Sequence, residues 1–323
     1  MDFNKIKLNG RYFIKDGHYL FPNGGSGFSF KMQGNSFSLL LESKPVECYY
    51  YVIIDRDYFN KIKKNTKDGL YQHFFQDDKP HYIDIVKANE ANDNCLELVN
   101  LNINGELLDD DFVYSKRVKV YGDSTVAGYG ILSHDGEASI HTSDAVRDFV
   151  YRSLYELNME ANILSASGWG LVFSAYTCPN NIGIINYIDK VAIYKDYPWK
   201  DKTQYDLLIV SLGTNDQSYI ESDQKLKRQR ITQFKEAYKS LIEQELKCHK
   251  NLKILMIYGT LKEENVYYLI EETYQELRPL YQNLFIHKFN GDNSAISNHA
   301  YVDKHDEMSQ ELTAVIKQIM LLA

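Results

Sequence analysis

Four cysteines, two tryptophans and six prolines are few for a chain of 323 residues, and each scarcity narrows what the protein can be. Cys48, Cys95, Cys178 and Cys248 stand singly, without the paired spacing of a metal knot or a disulfide scaffold, so four buried thiols are expected. No apolar run reaches the length needed to span a bilayer, which argues against a membrane as partner. The N-terminal Met1-Asp2-Phe3-Asn4-Lys5 has no charged segment followed by an apolar stretch, so the cytoplasm is the expected location. Basic blocks are missing too, and the formal charge of −8 argues against nucleic acid, whose phosphates require a positive surface. His287, His299 and His305 are near one another but lack the i, i+4 spacing of a zinc hydrolase, so no metal is implied. With no internal repeat, low-complexity stretch or Pro/Gly-rich linker, any two domains should pack directly on each other.

What is present is an ordinary soluble composition, 44% apolar and 25% charged, at a length suited to two domains. Tyrosine is abundant at 26 residues, which fits sugar-stacking surfaces and β-sandwich cores equally well. Up to about residue 115 the pattern has a period of two. Phe28, Phe30 and Met32 alternate with smaller or polar residues, and Phe37, Leu39 and Leu41 resume the alternation after Gly34-Asn35, which reads as a hairpin. Tyr50, Val52 and Ile54 continue it, with further strands around 81–86 and 96–103. Residues 1–115 are therefore expected to form an all-β sandwich.

From residue 116 to 323 the grammar becomes strand, helix, strand. The runs 118–121, 163–166, 207–212, 252–258 and 284–287 are short and apolar, as in buried parallel sheets. Helical stripes lie between them at 146–157 and 231–242, and Met308 to Ile319 form a last amphipathic helix. A three-layer α/β/α domain follows from that alternation.

Several strand ends carry polar residues suited to acyl transfer. Ser124 closes Val120-Tyr121-Gly122-Asp123-Ser124, where a nucleophile would stand at the carboxyl end of a core strand, although a capping serine fits the same turn. Ser167-Gly168-Trp169-Gly170 follows the second run. A residue without Cβ there lets a backbone N–H approach an oxyanion, and the same loop also reads as a simple turn. Gly213-Thr214-Asn215-Asp216 ends the third, where the Asn215 amide either donates to an oxyanion or braces a turn. Asp303-Lys304-His305 sets a carboxylate two residues before an imidazole. On an extended segment the two share a side, whereas at a helix start Asp303 would cap and His305 would be exposed in the first turn.

Taken in order, these blocks resemble those of the SGNH (GDSL-type) hydrolases over residues 117–323. In the first half, Gly27-Phe28-Ser29-Phe30 with Gly34-Asn35-Ser36, Tyr50-x-Val52-x-Ile54-Asp55 and His81 to Lys87 resemble the jelly-roll domain of carbohydrate esterase family two. The resemblance implies a serine esterase that removes O-acetyl groups from a carbohydrate without a cofactor. Ser124 would be the nucleophile, His305 the base and Asp303 its orienting carboxylate. Ser124, Gly168 and Asn215 would form the oxyanion hole, and Trp169 either a sugar-stacking wall or a core residue. One departure concerns His305, which is followed by Asp306-Glu307-Met308 where relatives commonly carry proline and a small polar residue. Some relatives work with a Ser-His dyad, which would leave Asp303 without a role; should His305 not be the base, His299 is next. The competing readings are a lipase or thioesterase acting on non-sugar esters, and a glycan-binding protein with a degenerate hydrolase domain.

Overall fold

The computed structural model describes residues 3–92, 94–134, 138–175, 182–193, 195–261, 267–295 and 299–321. Its first half is antiparallel. Strands β1 (Lys7–Asn9), β2 (Phe13–Lys15), β3 (His18–Phe21), β4 (Gly27–Lys44) and β5 (Tyr49–Ile54) are followed by β6 (Ile62–Asn65), β7 (Tyr71–Phe74), β8 (Pro80–Lys87) and β9 (Cys95–Leu108). They pair in the order β2-β3-β9-β4-β8-β5-β6, with β1 and β7 also on β4, and fold over as a sandwich. Phe28, Phe30, Met32, Phe37, Leu39 and Leu41 all enter its core, as their alternation predicts.

The hairpin expected at Gly34-Asn35 is absent: β4 runs straight through it for 18 residues. A register shift between Gly34 and Ser36 inserts one extra residue against β9, which changes the inward positions from even to odd numbers. Gly34 has φ +151° and faces Gly105, and a Cβ there would lie 2.2 Å from the Asn104 carbonyl oxygen. A bulge and a turn thus leave the same parity break in a sequence.

The second half holds β10 (Lys116–Gly122), β11 (Met159–Ser165), a small hairpin of β12 (Lys190–Ala192) and β13 (Lys195–Pro198), β14 (Leu207–Ser211), β15 (Lys253–Tyr258) and β16 (Leu284–Lys288). The parallel sheet has the order β11-β10-β14-β15-β16, a doubly wound arrangement with β10 central to the first crossover. Leu208 and Val210 of β14 face one layer, and Leu207 and Ile209 the other, so its apolar run is continuous because both faces are covered. Helices α3 (Thr214–Glu221), α4 (Lys227–Cys248) and α5 (Tyr267–Leu277) cover the first face. On the second lie α2 (Phe149–Glu156) and α6 (Val302–Met320), together with the short α1 (Ser124–Ala127). Each fully buried Val, Leu or Ile contributes about 1.5–3 kcal/mol here.

The halves share a core. Tyr50 and Val52 of β5 point into the sandwich, whereas Tyr51 and Ile53 pack in the cluster that holds Val120, Val126 and Phe149. Buried Arg11 crosses the seam, its Nε donating to Asn162 Oδ1 (2.9 Å) and its Nη1 to the Lys190 carbonyl (2.6 Å). Of the thiols expected to be buried, Cys48 and Cys95 are and Cys248 is exposed at the end of α4; Cys178 lies outside the described residues. Among the described residues no helix is long and apolar enough to cross a membrane.

Candidate active site

Strand β10 ends at Gly122, and Asp123 rather than the serine caps α1. Its carboxylate accepts from Thr125 N–H and Thr125 Oγ–H, both at 3.0 Å. Burial pushes that carboxyl up to about 6 against the pull of these donors. With the cap supplied by its neighbour, the Ser124 hydroxyl is not consumed by the helix end. It meets His299: 2.7 Å separates Ser124 Oγ from His299 Nε2, with the two residues 7% and 9% exposed. A serine hydrogen-bonded to imidazole at a strand end is a nucleophile–base pair in its geometry.

His299 belongs to an irregular segment before α6, and backbone bonds hold it in place. The Ala295 N–H donates to the His299 carbonyl (2.7 Å), Tyr301 N–H to Ser294 Oγ (3.0 Å), and Val302 N–H to the Ile131 carbonyl (3.0 Å). The ring packs beside Tyr129, with centroids 5.1 Å apart.

His305, expected as the base, is not at Ser124. Helix α6 begins at Val302, six residues before the first stripe residue of the sequence reading, so Asp303 and His305 both lie in its first turns. On a helix, positions i and i+2 do not face each other. Asp303 is exposed, while His305 is buried beside Phe149 and accepts the Phe149 N–H at Nδ1 (3.3 Å). Desolvation, and then the neighbouring His299, hold the His305 ring down at about 3, so it is neutral at ordinary pH. Tyr301, not Asp303, occupies the cap position.

The oxyanion candidates stand on neighbouring strand ends. Gly168 follows β11 with φ +81°, a left-handed conformation that favours glycine. Asn215, in the first turn of α3 after β14, donates from Nδ2 to the Trp169 carbonyl (3.1 Å), which ties the two loops together. An amide carries a second N–H, so this bond does not exhaust it. Trp169 is no sugar wall: its side chain is fully buried in the α/β core and meets Tyr187 edge-on at 5.3 Å. Among the described residues no group of His, Cys, Asp or Glu is arranged to hold a metal ion.

Residues 8–110 match the family model of the carbohydrate esterase 2 N-terminal domain. The whole chain is also similar to solved family two esterases. That from Clostridium thermocellum, solved with cellohexaose, shares 20% identity at a TM-score of 0.85, over 98% of this chain and 99% of that one. That from Cellvibrio japonicus shares 21% identity at 0.84, over 98% and 95%. An acetyl xylan esterase from the rumen bacterium Butyrivibrio proteoclasticus shares 17% at 0.84, over 99% and 97%. At these identities the likeness is one of fold. No curated protein matches the chain in sequence at a significant level.

Four residues around the pair escaped the sequence reading. Asp216, one residue past Asn215, is fully buried and accepts the N–H groups of Leu171, Val172 and Phe173 at 2.7–2.8 Å, holding the chain that leaves Gly168. Burial pushes its carboxyl up to about 7, opposed by those three donors. Glu90, from the loop after β8 of the sandwich, accepts the Ser167 N–H at 2.7 Å, and Asn92 Nδ2 donates to the Ser167 carbonyl at 3.3 Å. Buried Lys87 shapes that loop by donating to the Asn89 and Glu90 carbonyls (2.6 and 2.9 Å). The peptide preceding Gly168 is therefore gripped from the other half of the molecule. For Asp216 the signal was present in Gly-Thr-Asn-Asp; for Glu90 there was none.

Proposed function

We propose that the protein is a serine esterase that removes O-acetyl groups from a carbohydrate, with residues 1–115 and 116–323 as its two domains. The observation that carries this reading is the 2.7 Å contact between Ser124 Oγ and His299 Nε2 at the carboxyl end of β10. In this scheme His299 accepts the Ser124 proton at Nε2 as Oγ attacks the acetyl carbonyl. The Ser124 and Gly168 N–H groups and Asn215 Nδ2 hold the oxyanion, a donor of this kind being worth roughly 3–4 kcal/mol. His299 then returns the proton to the departing sugar hydroxyl. A water, deprotonated by the same imidazole, attacks the acetyl-serine, the imidazolium returns that proton to Ser124 Oγ as acetate leaves, and no step requires a cofactor. The carbohydrate half of the proposal is supported by the whole-length likeness to esterases solved with or described for glycans.

The deciding experiment is hydrolysis of p-nitrophenyl acetate by Ser124→Ala and His299→Ala proteins whose folding is checked by circular dichroism. Both should be inactive. Normal turnover by either folded variant removes the mechanism, and a higher kcat/KM on the octanoyl than on the acetyl ester replaces the acetylesterase with a lipase.

A further inference from the structure

Away from Ser124, a cavity of about 420 Å³ opens where the β5–β6 loop of the sandwich meets the 144–152 segment and α6. Four cations line it, Lys61, Lys63, Arg147 and Arg152, against one lining carboxylate, Asp306. That concentration is unusual in a chain of net charge −8. Two of the four are neutralised. Lys63 Nζ lies 2.9 Å from buried Asp144 Oδ2, and Arg152 pairs with both Glu156 and Asp306.

The other two are not. Lys61 Nζ donates to the Tyr58 carbonyl (3.2 Å) and sits 3.6 Å over the Tyr58 ring, but it reaches no carboxylate among the described residues. Among the same residues the Arg147 guanidinium has no ion-pair partner, although it lines the same cavity. Desolvation first, and Arg147 and Arg152 with it, bring Lys61 down to about 8, with Asp144 and Asp306 pulling the other way. Lys63, Tyr51 and Tyr58 complete its surroundings. Two like charges held together with no carboxylate in ion-pair contact raise the free energy of the empty site, and an anion placed between them lowers it. Beside them stands Phe59, 73% exposed, an apolar ring of the kind that stacks on a sugar face.

We infer that this basin binds a carboxylate-bearing sugar residue, such as a uronate carried on the glycan, through Lys61 and Arg147 with Phe59 as its apolar wall. The inference rests on the carbohydrate reading for its saccharide part and extends it to acidic glycans. Arginine offers a carboxylate two parallel donors, and lysine adds a point charge.

The test is calorimetric titration of the intact protein with an unacetylated xylo-oligosaccharide carrying one glucuronate, with the neutral oligosaccharide of equal length, and with sulfate. At neutral pH the acidic oligosaccharide should bind about tenfold or more tightly than the neutral one, the equivalent of one charge-assisted contact. Arg147→Met and Lys61→Met should each abolish that preference and leave p-nitrophenyl acetate hydrolysis unchanged. In the wild type the preference should weaken as pH rises through about 8, where Lys61 discharges. Equal affinity for the two oligosaccharides, or a preference untouched by both substitutions, overturns the site. Sulfate bound as tightly as the acidic oligosaccharide overturns its saccharide character. Absence of ester hydrolysis with acidic binding intact removes the esterase reading alone and leaves this one standing.

Discussion

His299 and His305 are six positions apart, and the two imidazoles meet opposite surroundings. His299 lies on irregular chain, where loop hydrogen bonds aim its ring at a serine hydroxyl. His305 lies inside α6, its own N–H donating to the Tyr301 carbonyl (3.1 Å) and its ring shut in with Phe149. One ring is placed to exchange protons, while the other is a neutral acceptor that satisfies a buried N–H. The difference comes from where the helix begins rather than from the residue type. A start at Val302 leaves His299 outside the helical hydrogen-bond ladder and turns Asp303 away from His305.

Exchanging the two histidines' fates by mutation gives the largest expected effect. His299→Ala should lower kcat for p-nitrophenyl acetate about 10⁴-fold or more, on the scale of losses when a base is removed from a nucleophile–base unit. His305→Gln should stay within about tenfold of wild type, a change too small for loss of the base. The reverse ranking would return the base to His305.

A smaller effect is expected from the support under Gly168. Glu90→Ala leaves the Ser167 N–H without its carboxylate and frees the loop, so kcat should fall about tenfold to a hundredfold with little change in KM. That is below the 10²–10³-fold cost of deleting an oxyanion donor outright. Glu90→Gln retains an acceptor and should recover most of the loss. If the alanine variant is destabilised yet keeps full kcat, Glu90 only joins the two halves.

His305 should reveal itself in stability instead. Its folded value of about 3 lies below the ordinary 6.5, so the unfolded chain takes up the proton first. The stability tied to the neutral ring is complete above about 6.5 and is lost as pH falls toward 3. His305→Gln, whose amide can accept the Phe149 N–H, removes this proton uptake, so its acid unfolding midpoint should move to lower pH. An unchanged midpoint would mean that the buried ring is not linked to acid unfolding.

The smallest effect belongs to Asp303, exposed on the first turn of α6. Asp303→Asn should change kcat less than about twofold, against the roughly 10⁴-fold expected for the orienting carboxylate of a triad. A large loss in kcat would show that the carboxylate reaches the site during turnover.

Much of this was legible beforehand because it follows from local pattern. A period of two and then strand–helix alternation are written in residue spacing, and so are a sandwich and a parallel sheet. The positions of Ser124, Gly168 and Asn215 at strand ends follow once the strands are recognised, since a doubly wound sheet collects such ends along one edge. Local pattern misleads where two structures share a signature. The parity break at Gly34 belongs to a bulge rather than a turn, and the Asp-x-His spacing belongs to a helix rather than an extended segment.

What the chain determined by itself was therefore the identity of its strands, the residues at their ends and the turn that carries Ser124, all set by neighbours in sequence. Which histidine meets Ser124 across 175 positions, and that a glutamate of the sandwich grips the peptide before Gly168, were decided only when the two halves packed. Such contacts leave no periodicity to read, because they depend on where a helix starts and on which loops the shared core brings within hydrogen-bond reach.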